Sequence, residues 1–279
     1  MKKIIVAFDS LKFSETAMNY AIHYAKLINA HLVGVFLDDS AYTSYKIYDL
    51  VTTEGSSVKK MHEYDEQDKA TRARSATTFE NACRIAGLNH SIHHDRNVAI
   101  QELLHESIYA DLVIISRKET LTHYEEDIPT TFVREFLTDV QCPVIIVPEK
   151  YAPVEKLIIL YDGEPSSVHA VKMYNYIFTI PEYNTTEVVY VKSIDDTSHM
   201  ADNRLMKEFM KKHFPATLYK VLKGFPEQEI VAYLKEQKKN SMIVLGAYRR
   251  GRVSRWFRPS MADILMKEIN APLFIAHNK

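Results

Sequence analysis

One pattern is written twice along this chain, and any fold it adopts has to accommodate the repetition. An apolar run that stops at an aspartate opens each half: KKIIVAFDS at Lys2–Ser10 and EKLIILYDG at Glu155–Gly163. The next apolar runs also correspond, HLVGVFLDD at His31–Asp39 with EVVYVKSIDD at Glu187–Asp196. So do DLVIIS (Asp111–Ser116) with SMIVLG (Ser241–Gly246), and QCPVIIVP (Gln141–Pro148) with NAPLFIAH (Asn270–His277). Each run is short, rich in branched residues and bounded by turn signals, the pattern of a buried strand. Segments with helical spacing lie between the runs. That alternation predicts parallel sheets with helices on both faces. A period this long means two copies of an α/β unit rather than a solenoid.

At 279 residues the chain has room for two domains, each of roughly 140 residues. Their bounds are placed at 1–148 and 154–279, joined by Glu149–Pro153, a short linker stiffened by its proline. In the first half, Ser14 opens an amphipathic helix running to about Asn29, between strands at Ile4–Phe8 and Leu32–Leu37. The pattern is then lost from Asp38 to Ser57, an excursion that includes Tyr42, Tyr45 and Tyr48. Lys59–Ala86 reads as one long charged helix stopped by Gly87. A short strand at Ser91–His94, a helix at Val98–Tyr109 and a helix from Thr131 complete the first copy. The second is more compact, with helices at Ser166–Phe178 and Asp202–His213, a strand at Leu218–Leu222, and a helix with Pro226 near its start.

Composition removes several classes of function. Net charge is -1 and the pI about 6.9, so no global field draws nucleic acid or an anionic membrane. The opening MKKIIVAFD mimics a signal peptide, but Asp9 cuts the apolar run short, and no run approaches the roughly 20 apolar residues of a membrane span. With only Cys83 and Cys142, a disulfide framework is not expected and a reducing cytoplasm is.

The first strand ending in Asp, the valine of the second strand (Val35, Val191), the loop after the fourth strand, and the Cys-Pro or Ala-Pro before the last strand recur in the same order in both halves. In that order they resemble the universal stress protein family in its tandem, two-domain form, and the resemblance covers almost the whole chain. It implies an α/β fold of two tandem doubly wound parallel-sheet units, five strands each in the order 3-2-1-4-5, with helices on both faces. The ligand crevice of such a sheet lies outside the carboxyl ends of strands 1 and 4, where the strand order reverses.

Members of that family that bind ATP carry G-x-x-G-x9-G-S/T after the fourth strand, glycines that let backbone N–H groups close on phosphates. Laid on the second half, this motif falls on Gly246, Arg249, Pro259 and Ser260; the first glycine and the serine match, and the other two glycines are absent. Arg249, Arg250, Arg252, Arg255 and Arg258 offer side-chain forks for phosphate in their place. Asp162 and Val191 fall where ATP-binding relatives meet adenine and ribose, and Gly163 follows Asp162. The resemblance therefore implies a nucleotide site for ATP with magnesium at Asp162, Gly163, Val191, Gly246, Arg249, Arg250, Arg252 and Ser260. Its first-half equivalent, Asp9, Val35, Ser116, Thr130 and Thr131, reads as degenerate. No glycine lies between Leu88 and Asp162, and Glu119, Glu125, Glu126 and Asp127 give that loop an acidic wall, which repels phosphate. Two plainer readings compete: Asp9 and Asp162 as helix caps that need no ligand, and the arginine loop as a solvated basic surface.

His90, His93 and His94 cluster, but His93 and His94 point to opposite faces of a strand, and no cysteine or carboxylate spacing completes a zinc set; no metal is expected. Trp256 and Phe257 beside arginines suggest stacking on bases, yet the balanced net charge favours packing, and no nucleic-acid partner is expected. No nucleophile elbow, Walker lysine loop or Cys-x-x-Cys is present. The residues thus read as a cytoplasmic stress-response or regulatory binding protein rather than a turnover enzyme. Its rivals are an ATP-binding switch with the site in the second half, and a structural module that docks an unidentified protein, with the Asp38–Ser57 excursion as its surface. The repeat implies an intramolecular pseudo-dimer, and a homodimer remains a further option. The apolar last strands, Pro143–Val147 and Pro272–Ala276, each leave an edge that needs cover and are expected to meet.

Overall fold

The structure is a computed structural model that describes residues 1–38, 58–95, 98–122, 124–178, 185–194, 200–238, 240–246 and 260–276. Nearly all of the excursion after Asp38, with its three tyrosines, and the whole arginine loop with Trp256 and Phe257 lie outside the described residues. Contacts divide the chain into two compact units, Met1–Cys142 and Pro143–Lys279.

The first unit runs β1 (Lys3–Asp9), α1 (Glu15–Ile28), β2 (His31–Leu37), α2 (Val58–Ala86), β3 (His90–Asp95), α3 (Ala99–Ile108), β4 (Leu112–Ser116) and α4 (Thr131–Asp139). Its strands are parallel in the order β3-β2-β1-β4. In register, Val6 faces Gly34 on one side and Ile114 on the other. A strand with neighbours on both edges and helices on both faces has no solvent-facing side, hence the unbroken apolar run Ile4–Phe8, all of it buried. Helix α1 starts where the sequence predicts: the Ser14 hydroxyl accepts from the Ala17 N–H at 3.2 Å. It ends at Asn29, whose φ of 49° closes the last turn, and Gly87, φ 68°, does the same after α2. Right-handed crossovers set α1 and α2 on one face and, once the order reverses, α3 and α4 on the other. Beneath α2 the Phe79 ring lies over Gly34, where a Cβ would stand 2.7 Å from it. Phe8, Phe36 and Phe79 form one aromatic cluster there.

The second unit comprises β5 (Val144–Val147), β6 (Lys156–Tyr161), α5 (Pro165–Ile177), β7 (Thr186–Lys192), α6 (Asn203–His213), β8 (Thr217–Lys223), α7 (Pro226–Lys235), β9 (Ser241–Gly246), α8 (Met261–Glu268) and β10 (Leu273–Ala276). The strand order is β5-β10-β9-β6-β7-β8. Counted within the repeat, the last five are fifth, fourth, first, second and third, the expected doubly wound order. β5 runs antiparallel to β10, with Ile145 opposite Phe274. The two apolar last strands thus meet edge to edge, which covers the β10 edge. Helix α5 starts at Pro165, one residue ahead of the expected Ser166, because proline suits the first helical turn. Among the described residues no helix is long and apolar enough to cross a membrane.

Candidate functional site

In the first unit the crevice between the carboxyl ends of β1 and β4 is filled by acid. Asp9 closes β1 and is only 3% exposed. Its Oδ1 accepts from the Leu11 N–H at 2.7 Å and the Lys12 N–H at 3.2 Å, so it shapes the turn leaving the strand. Ser14, not Asp9, caps α1, which corrects the helix-cap reading. The other oxygen, Oδ2, is buried with no hydrogen-bond partner. Facing it from the β4 loop is Glu119, 4% exposed. Its backbone is pinned, with the N–H donating to the Ser116 carbonyl at 3.2 Å and the carbonyl accepting from the Thr130 hydroxyl. Burial first, then the Asp9 charge, push the Glu119 carboxyl up to about 8, against the pull of the Asp9 and Thr120 N–H groups. Burial likewise raises Asp9, opposed by its two backbone donors and by Lys12. Lys12 reaches across the crevice mouth to the Thr122 carbonyl at 2.6 Å.

The donors a phosphate would use here are engaged. Thr130 is the N-cap of α4 and accepts from the Val133 N–H at 3.2 Å. The Thr131 N–H donates to Glu126 Oε2 at 2.7 Å. Ser116 accepts from the Lys118 N–H, and Val35 is fully buried within β2. Of the four acids in the loop, only Glu119 turns inward; Glu125 and Asp127 are exposed and Glu126 lies half-buried.

In the second unit, Asp162 directly follows β6, and Gly246 ends its paired strand β9. Asp162 is exposed, and its Oδ1 accepts from the Glu164 N–H at 2.9 Å, again a turn rather than a cap. Gly163 has φ 86°, a conformation that side chains strain to adopt. At Gly246 a Cβ would stand 2.4 Å from the Ser166 carbonyl oxygen. The first turn of α5 therefore requires this glycine, quite apart from any phosphate. Ser260 forms a capping box with Asp263, its hydroxyl accepting from the Asp263 N–H at 3.1 Å and the Asp263 carboxylate from the Ser260 N–H at 3.0 Å. Val191 sits half-buried on the neighbouring β7. Arg249, Arg250 and Arg252 lie outside the described residues.

One feature was not anticipated from the sequence. A cavity of about 500 Å³ opens over the carboxyl ends of β1, β2 and β3 beneath α2, lined by Ser10, Phe36, Asp38, Lys69, Arg72 and His94. Arg72 donates through one Nη to Asp38 Oδ1 at 2.9 Å, while its Nε is buried without a hydrogen-bond partner. The His94 and Phe36 rings lie 5.6 Å apart. The signal for this cavity was Lys69, Arg72, Ala73 and Ala76, which share one helical face and mix cations with side chains small enough to leave room. On the opposite face of β3, His93 Nδ1 meets Glu106 Oε1, and the other oxygen of that carboxylate, Oε2, holds Lys3 Nζ at 3.1 Å. Among the described residues no group of three His, Cys, Asp or Glu side chains is arranged to hold a metal ion.

The two units together define a tandem doubly wound α/β protein. No family model and no curated protein matches the chain by sequence. Solved structures do match by shape. A universal stress protein from Archaeoglobus fulgidus DSM 4304 is 13% identical with a TM-score of 0.71, over 99% of this chain and 96% of that one. A putative universal stress protein from Pseudomonas aeruginosa UCBPP-PA14 is 14% identical with a TM-score of 0.59, over 99% and 93%. A functionally unknown protein from Pseudomonas aeruginosa PAO1 is 13% identical with a TM-score of 0.60, over 99% and 92%. What is shared at such identity is the fold, and this chain has the universal stress protein fold at its tandem length.

Proposed function

We propose that this chain is a regulatory binding protein of the universal stress type whose first unit takes a small anion with a flat apolar body. The observation that carries the reading is the cavity beneath α2. It offers a buried guanidinium N–H with no partner, a lysine at the rim and two neighbouring rings tilted at 35°, at the end of the sheet where α/β proteins hold ligands. An unpaired buried donor is costly, and a ligand carboxylate or phosphate would satisfy it by a charge-assisted bond. The neighbouring crevice argues against ATP in this unit, because Asp9 and Glu119 stand where phosphate charge would come. The free thiols Cys83 and Cys142, both raised to about 12 by burial, fit a reducing cytoplasm. A protein partner would read the liganded state.

ATP with magnesium is the second reading, and it belongs to the second unit. Asp162, Gly163 and Gly246 gather at adjacent strand ends, and Arg249, Arg250 and Arg252 follow in sequence. Gly246 and the Ser260 hydroxyl already serve α5 and α8, so affinity there would be weak and sensitive to salt. Calorimetry on the full chain separates the two readings. Phenyl phosphate or benzoate should bind wild type and not Arg72→Ala. If neither binds, and ATP with magnesium binds in a way that Arg249→Ala with Arg250→Ala abolishes, the second-unit nucleotide reading replaces the first.

A further inference from the structure

We infer that the free edge of β8 in the second unit is a docking strand for an extended acidic segment of a partner protein. This surface is separate from the cavity and from both crevices. β8 pairs with β7 along its whole length, from Thr186↔Thr217 to Lys192↔Lys223, and among the described residues no strand lies on its other side. In a parallel pair alternate residues aim their backbone N–H and C=O groups outward, so β8 presents a ready row of donors and acceptors. It contains no proline to interrupt that row. Apolar side chains flank it on both faces: Leu218 is 56% and Val221 43% exposed, and Phe225 just beyond is 68% exposed.

Charge selects the occupant. Segment 203–223 carries Arg204, Lys207, Lys211, Lys212, Lys220 and Lys223 against one acid, Glu208, in a chain that is otherwise near balance. The basic side of α6 reaches the strand, since Lys207 Nζ lies 5.6 Å from the centre of the Tyr219 ring. A second copy of this chain is a poor occupant: antiparallel pairing about the middle of β8 would set Lys220 against Lys220, a destabilising like-charge pair. A strand that carries an Asp or Glu and a branched apolar residue on each of its faces meets both demands, because Leu218 and Lys220 share one face of β8 and Val221 and Lys223 the other. Its backbone completes the ladder, its acids face Lys220 and Lys223, and its apolar residues cover Leu218 and Val221.

The test uses the full chain and two labelled peptides, one repeating Glu-Glu-Val-Val and the other Lys-Lys-Val-Val, patterns that set a charge and a valine on each face of a strand. The Glu peptide should bind saturably by fluorescence anisotropy at low salt, and the Lys peptide should not. Lys220→Glu with Lys223→Glu should weaken the Glu peptide by about tenfold or more; both side chains are exposed, so the fold is preserved. Hydrogen exchange should slow at 217–223 when the Glu peptide is bound. No saturable binding at millimolar peptide, equal affinity for both peptides, or protection elsewhere in the chain would overturn the inference. So would self-association of wild type that protects β8 without peptide.

Discussion

Glu119 brings a second buried carboxyl into the first crevice, beside Asp9. Its carboxyl rises from 4.5 to about 8 on folding, chiefly through burial. A carboxyl raised in the folded state keeps a proton that the unfolded chain has released, so its contribution to stability is complete below about pH 4.5 and is lost as pH climbs through about 8. Asp9 is shifted in the same direction by burial and adds to the same slope. Denaturant unfolding between about pH 5 and 8 should therefore show wild-type stability falling, and Glu119→Gln should flatten that fall and gain roughly 1–3 kcal/mol near neutrality. Identical slopes in the two proteins would mean that Glu119 ionises freely. Gly246 makes the opposite case, a residue that resembles a phosphate glycine and serves packing. Gly246→Ala would place a methyl 2.4 Å from the Ser166 carbonyl oxygen, between two pieces of backbone that yield little. We expect a loss of roughly 1–3 kcal/mol, read as a lowered unfolding midpoint; an unchanged midpoint would show that α5 can shift away.

Helix ends are the elements most plainly written in this chain. Ser14, Gly87 and Ser260 each sit where a helix starts or stops, because capping uses groups only a few residues apart. The box between Ser260 and Asp263 is the only such pair closed by both bonds among the described helix starts. Ser260→Ala should lower stability by about 1 kcal/mol, while Ser260→Asp keeps a cap and should lose less; equal losses would implicate something other than the cap. Helix α2 was legible as a long charged helix, yet its role was not. Its buried Phe79 and Cys83 pack inward, while Lys69 and Arg72 roof a cavity. Which cations face solvent and which face a void depends on what lies beneath the helix.

At the scale of the molecule, the apolar strand Val144–Val147 counts with the second unit although it ends the first copy of the repeat. We propose that a fragment spanning 143–279 is more stable than one beginning at 154, the bound suggested by the repeat, which loses the strand covering the β10 edge. Denaturant unfolding of both fragments decides it, with the higher midpoint expected for 143–279; equal midpoints would favour the bound at 154.

The strands, the helices and the doubled α/β unit follow from the sequence by itself, because hydrophobic period, caps and turn residues act between near neighbours; the doubly wound order was implied only by the family resemblance. The tertiary structure alone decided which of four acids enters the first crevice, why Gly246 must be glycine, and where Arg72 meets Asp38 and His94. Those facts join residues far apart along the chain. They depend on which strands are neighbours and how closely a helix approaches, and the periodicity of a single segment carries no record of either.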